Sequence, residues 1–399
     1  MTASKSCNSE FPTGSLRSAL GGLLAMAAAL GIGRFVYTPI LPEMIDALRW
    51  SKADAGVVAS ANFLGYLCGA VMAGWPVFAA AARKWLLVAL AVSAATTAAM
   101  GLPPDIVVMA ALRFAGGAAS AFVIICASTV VLDRLAAAQR PDLAAVHFAG
   151  VGAGICVSAA AVAAAHAGGV GWRSLWVLSG ILAAVAALVA AVLLPPAPLR
   201  GACAADRGDP RAADKPASVR MVVAYGLFGF GYVITATFLV AIVRQSPGVR
   251  PLEPWIWMLF GLTAVPSVPL WQWLGRRTGL TRAFAAAAIV EAIGVAAASA
   301  DQVTAAGACA AAALLGGTFM GLTALGLMSG RVLGGDHPQR LISLMTVSFS
   351  VGQIIGPFVA GILAEHTGSL RLASLLAAAA LVLAAGLAAS TGPHGASPR

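Results

Sequence analysis

The chain has 399 residues, of which 60% are hydrophobic and only 10% charged, with a net charge of +10. A soluble domain carries about 25% charged residues to solvate its surface, so the bilayer is the solvent that suits this composition. The basic excess does not mark a nucleic-acid binder, which gathers Lys and Arg on one face; here they stand singly or in pairs between apolar runs.

A helix needs about 20 apolar residues to cross roughly 30 Å of hydrocarbon. In chain order the sequence predicts twelve such segments: 17–42, 53–78, 84–102, 105–132, 142–166, 172–195, 219–243, 254–274, 282–300, 303–333, 340–364 and 370–391. Their length and their Ala, Leu, Val and Gly content favour helices over the short alternating strands of an outer-membrane barrel. The first segment follows Lys5 and Arg17 as a signal peptide would. It runs through Arg34 to Pro42 without a cleavage site, and is expected to remain as the first span.

The basic residues orient the spans. The side that holds the N-terminus takes most of them, Arg83, Lys84, Arg134, Arg140, Arg276, Arg277, Arg331 and Arg340 among them. The other side receives Arg49, Lys52, Arg173, Arg244, Arg250 and Arg371. The positive-inside rule therefore predicts both termini in the cytoplasm of a cell with this protein in its inner membrane. The stretch 196–218, rich in Pro and Gly, is expected to be a cytoplasmic linker between a six-helix bundle at 1–195 and a second at 219–399.

The cysteines form no CxxC pair. Cys68, Cys126, Cys156 and Cys309 fall in apolar runs as small buried side chains, and Cys7 and Cys203 in cytoplasmic segments. His147, His166, His337 and His366 lie near span ends or loops without metal-ligand spacing, and no phosphate-binding loop occurs. No cofactor or metal is expected.

The two halves repeat. Gly31 and Gly33 of the first span answer Gly229 and Gly231 of the seventh; Gly150 and Gly154 of the fifth answer Gly352 and Gly356 of the eleventh. Gln139-Arg140 aligns with Gln339-Arg340 between them. Such duplication is the sequence trace of secondary-transporter architecture.

The stretch from Gly31 through Arg34 and Tyr37 to Pro42, followed by Ser60 to Tyr66, resembles the YbfB/YjiJ-like branch of the major facilitator superfamily. So do Arg113 to Phe122 and Tyr225 to Phe238. The resemblance implies an all-α membrane fold of twelve transmembrane helices in two six-helix pseudo-repeats, and a monomeric secondary transporter. Two family signatures are altered. Phe78 and Ala79 stand where an Asp-Arg pair is usual after the second span, and Arg276 stands where the second loop would hold its acid. The antiporter pattern of the fifth span lacks its proline, Ile155 following Gly154, whereas the eleventh has Gly356-Pro357.

Charges inside a span cost about 2.5–3.5 kcal/mol at the helix centre and so point to function. Arg34 in the first span could hold a carboxylate or phosphate bidentately, or snorkel to the membrane surface. Arg113 occupies the family's Arg-x-x-x-Gly position in the fourth span, which implies a part in coupling or solute binding; an interfacial structural role is the alternative. Glu291 is the acid nearest the centre of any span, a candidate proton carrier or a neutral hydrogen-bonded group in a peripheral helix.

Polar neutral candidates for solute contact are Tyr37, Asn62, Tyr66, Tyr225, Tyr232, Thr235 and Gln353. Tyr225 and Tyr232 share a helix face, though Tyr also builds the aromatic belt at span ends. The Gly150/Gly154 and Gly316/Gly321 sets read as helix-packing positions. A membrane enzyme would need paired acids, a His cluster or a nucleophile with its base, and none is legible. The expectation is a proton-coupled transporter of a small, possibly anionic organic solute; efflux of drugs or metabolites by the same fold, and a non-transporting sensor or channel, are the competing readings.

Overall fold

The computed structural model describes residues 12–79, 81–102, 105–194, 215–300, 303–335 and 338–392. Cys7, Cys203, His337 and residues 196–214 of the expected linker lie outside them. The linker's last residues, 215–218, already belong to the seventh span.

The spans, numbered α1 to α12, follow the apolar runs. α1 has three parts, Pro12–Met26, a π-helical Ala27–Arg34 and Tyr37–Leu48. Then come α2 (Lys52–Ala73), α3 (Ala82–Ala99), α4 (Ile106–Ala137), α5 (Ala144–Ala167) and α6 (Trp172–Leu193). The second half repeats the series as α7 (Lys215–Gln245), α8 (Glu253–Ala264 and Ser267–Thr278, parted at Pro266), α9 (Leu280–Ala297), α10 (Ala305–Leu333), α11 (Pro338–Thr367) and α12 (Arg371–Ala389). Ten of these are long and apolar enough to cross a membrane by composition alone. The other two are α3, which opens on Arg83 and Lys84, and the interrupted α8.

Short polar signals set the ends. Ser51 and Asp54 form a capping box at the start of α2, Asp105 accepts from the Val107 and Val108 amides at 2.9 Å before α4, and Thr304 caps α10. At the other end of α6, the orphan carbonyls are answered by arginines: Arg17 donates to Val192 at 2.7 Å and Arg83 to Leu194 at 2.7 Å. The outer surface is apolar. Val177, Ile181, Val185, Leu188 and Val192 form an exposed stripe at helical spacing along α6, a face suited to lipid rather than water.

The halves meet along α2 with α11, α5 with α8 and α1 with α7. Glycines permit the approach. A Cβ on Gly152 would lie 2.7 Å from the Gly261 carbonyl, and one on Gly361 2.6 Å from that of Lys52. Gly316 and Gly321 face Phe260 and Trp271 of α8, which makes them packing positions.

Among the described residues, the side-chain bonds that join the two halves lie in the middle of the bundle or at the end remote from the termini. Thr38 donates to the Ala236 carbonyl at 2.8 Å, Ser60 to Ile354 at 2.8 Å, and Arg244 pairs with Asp46 at 2.9 Å. Near the termini the corresponding bonds stay within one half, as from Arg220 to Ser390 and from Arg83 to Leu194. The end remote from the termini is therefore the sealed one.

Candidate functional site

The π-helical turn of α1 builds the site, and the residues around it explain its form. Phe35 N–H bonds to the Leu30 carbonyl at 3.1 Å, five residues back. Such a register disturbs the ladder where the ordinary helix resumes. The Arg34 carbonyl could look to Thr38, whose amide bonds to Phe35 at 3.3 Å instead, or to Pro39, which has no N–H. Arg113 of α4 supplies the missing donors. Its Nη1 donates to the Gly33 carbonyl at 3.1 Å and its Nη2 to the Arg34 carbonyl at 3.0 Å.

Three further groups hold Arg113 in place. The Tyr37 ring lies 4.9 Å from its guanidinium, and the Tyr37 hydroxyl donates to the Ala55 carbonyl at 2.8 Å. Asn62 of α2 donates to Arg113's own carbonyl at 2.8 Å. Gly117, at the close of the Arg-x-x-x-Gly motif, sits against the backbone of Asn62, so α2 and α4 touch there.

The Arg34 side chain is in a different position. It is 6% exposed and does not reach a membrane surface. Aromatic rings surround it, Tyr66 at 4.5 Å, Phe63 at 4.7 Å and Phe35 at 5.6 Å from the guanidinium carbon. Its Nε and Nη2 are buried without a hydrogen-bond partner. These two nitrogens share one edge of the guanidinium, the edge that can grip a carboxylate through two parallel bonds.

The second half contributes a wall of rings. Tyr225 and Tyr232 do share a face of α7, and both are buried in the interior rather than placed in a belt. Phe349 of α11 stacks on Tyr225 with centroids 4.9 Å apart and lies nearly parallel to Tyr232 at 5.9 Å. Phe319 of α10 stacks on the far side of Tyr232 at 6.0 Å and meets Phe35 edge-on at 5.8 Å. Gln353 donates to the Tyr232 hydroxyl, and the Tyr225 hydroxyl donates to the Thr323 carbonyl at 3.2 Å. Three acceptors remain buried and unanswered: Gln353 Oε1, Thr235 Oγ1 and Asn62 Oδ1.

Glu291 stands on α9, fully buried, its carboxylate oxygens without a hydrogen-bond partner and Thr318 of α10 the polar side chain beside it. It is near enough to Tyr232 to act on it electrostatically, as Arg34 also does. The cavity next to Arg34 and Arg113, lined also by Tyr37, Thr38, Phe63 and Val233, measures about 20 Å³. That is space for a single water, so a solute enters only as the halves part.

Sequence reasoning overlooked Phe63, Phe319 and Phe349. Phe63 was within reach, since it precedes Tyr66 by three residues and shares its face. Phe319 and Phe349 carry no local signal, because only the assembly of α7, α10 and α11 brings them together. Of the histidines, His147 is buried beside Ser128 at 3.2 Å, and His166 pairs with Glu43. The four cysteines within spans are free thiols.

Solved structures share this arrangement. The nucleoside transporter NupG superposes with a TM-score of 0.69 at 15% identity, covering 95% of this chain and 98% of its own. A bacterial homologue of the human lysosomal transporter Spinster, inward-facing and occupied, gives 0.68 at 15% identity over 93% of this chain and 96% of its own. No curated protein matches the chain. The family model described as "Uncharacterised MFS-type transporter YbfB" matches residues 26–389. The chain belongs to that family, and is a multi-pass, all-α membrane transporter of the major facilitator fold rather than an enzyme.

Proposed function

We propose that this transporter carries a small organic anion across the bacterial inner membrane, coupled to protons, by alternating access around Arg34. The single observation behind the reading is the buried guanidinium whose Nε–Nη2 edge has no partner. A charge held among rings away from water is costly unless something neutralises it. A carboxylate of the solute would do so and would satisfy both donors together. Arg113 is already bonded to two carbonyls, so its role is to hold the α1 turn rather than to bind solute.

The moving bodies are the six-helix units 1–195 and 219–399, joined by 196–218, in a single monomeric chain with its termini in the cytoplasm. With that orientation the bonded end faces outward, and the small cavity at Arg34 makes this an occluded state that exchanges solute only once the halves part. Glu291 supplies the proton site.

Transport by Arg34→Ala, in protein that expresses and elutes as wild type, tests the reading. Loss of flux and of anion-induced thermal stabilisation is expected. Wild-type uptake by that variant would remove Arg34 from the site.

A further inference from the structure

The chain has only four tyrosines, and all four are buried or half-buried in the interior around the two arginines. Tyr37 underlies Arg113 and Tyr66 underlies Arg34. Tyr225 and Tyr232 lie in one ring stack through Phe349, at 4.9 and 5.9 Å. Membrane proteins ordinarily place Tyr at the two water interfaces, where the hydroxyl stays wet. Placing every tyrosine in the interior, three of them buried and Tyr66 half-buried, calls for a reason in the site itself.

The geometry points to a ring-bearing carboxylate, a flat aromatic acid carrying one negative charge, as the class of solute. This inference rests on the proposed anion site at Arg34 and names what else the solute must have. Rings cover the guanidinium but leave its bonding edge free, so the carboxylate docks in the guanidinium plane. Phe35 beside that edge leads through Phe319 to Tyr232 and Phe349, with Tyr232 within 16° of parallel to each of its two neighbours. These rings cover one another's faces, so a solute ring would meet them edge-to-face, a contact worth about 0.5–1.5 kcal/mol beyond area burial for each good pair. An aliphatic acid gains only the area. The unanswered Gln353 Oε1 next to Tyr232 adds an acceptor for a hydroxyl or ring N–H on the solute. A single charge follows from the arginines, since Arg34 offers a whole free edge while Arg113, although its Nε is unpartnered, spends both terminal nitrogens on carbonyls.

The test measures binding of benzoate, 4-hydroxybenzoate, cyclohexanecarboxylate, succinate and benzamide to the purified full chain by calorimetry and thermal shift. Benzoate and 4-hydroxybenzoate should bind at least tenfold more tightly than cyclohexanecarboxylate, with 4-hydroxybenzoate the stronger and benzamide silent. Phe63→Leu and, separately, Phe319→Leu should narrow the ratio of benzoate to cyclohexanecarboxylate affinity several-fold. Either variant suffices if the other does not fold. Cyclohexanecarboxylate equal to benzoate, or succinate binding alone, with Arg34→Ala abolishing that binding, would overturn the aromatic class and leave the anion site standing. Benzamide binding as well as benzoate, or benzoate binding unchanged by Arg34→Ala, would overturn the anion site itself. Silence from both aromatic acids also overturns the inference.

Discussion

Arg113 of α4 spends both terminal nitrogens of its guanidinium on α1, donating to the carbonyls of Gly33 and Arg34 at 3.1 and 3.0 Å. It thereby fixes the backbone from which the Arg34 side chain projects. Two arginines that look equivalent in the sequence thus differ, one holding the turn and the other keeping a buried edge without a partner.

Replacing Arg113 by Lys keeps the charge but not the fork. A single ammonium cannot answer two adjacent carbonyls with the same geometry, and a buried acceptor left unanswered costs about 1–3 kcal/mol. Arg113→Lys should lower the melting temperature and reduce transport at least tenfold. Wild-type melting and flux would show that the α1 turn does not depend on the bidentate contact.

The glycines around the same turn should not be equally tolerant. A Cβ at Gly31 would lie 2.6 Å from the Gly154 Cα and from the Val151 carbonyl, backbone atoms that cannot rotate away. At Gly33 the new carbon would meet the Ser93 hydroxyl at 2.6 Å and the Ala28 carbonyl at 3.2 Å; the hydroxyl can turn aside and the carbonyl need give only slightly. Overpacking of the first kind costs about 1–3 kcal/mol or more. Gly31→Ala and Gly154→Ala should therefore reduce folded yield and melting temperature more than Gly33→Ala does. Equal losses in all three would contradict the close α1–α5 crossing.

Arg244 bridges Asp46 of the first half at 2.9 Å and Glu253 of its own half at 3.2 Å. Each such half-exposed pair is worth no more than about 1 kcal/mol. Weak bonds of this size suit a gate that must open. Arg244→Ala should raise the rate at which a cysteine at position 236, beneath the Thr38–Ala236 contact, reacts with an impermeant maleimide added outside. An unchanged rate would mean that the ion pair does not hold the seal.

Glu291→Gln preserves shape and removes the charge. If Glu291 carries the coupled proton, the variant should bind solute with near wild-type affinity yet lose uptake driven by a pH gradient. Uptake that still follows the gradient as in the wild type would move the proton site elsewhere.

The twelve spans and the six-plus-six repeat were legible in the sequence, because both rest on local quantities. Twenty apolar residues either fill the hydrocarbon thickness or they do not, and a glycine that permits helix contact in one half recurs in the other. Gly31 does meet Gly154, whereas in the second half Gly229 meets Gly352, one helical turn from Gly356, the position that answers Gly154. The candidate site was legible only as residue types: of the ten expected residues nine are buried among the helices and Tyr66 is half-buried.

Their roles were not legible. Whether an arginine inside a span is engaged or free depends on which carbonyls its neighbours leave unanswered, and that follows from the π turn and Pro39 acting together. The ring wall depends on Phe319 and Phe349 arriving from helices distant in sequence. Hydrophobicity and spacing along one helix determine where the chain crosses the membrane and which face it buries. Only the packing of separate helices decided that Arg34 keeps an open edge, since the arginine that takes up the neighbouring carbonyls comes from α4 and the rings beside the guanidinium from α2.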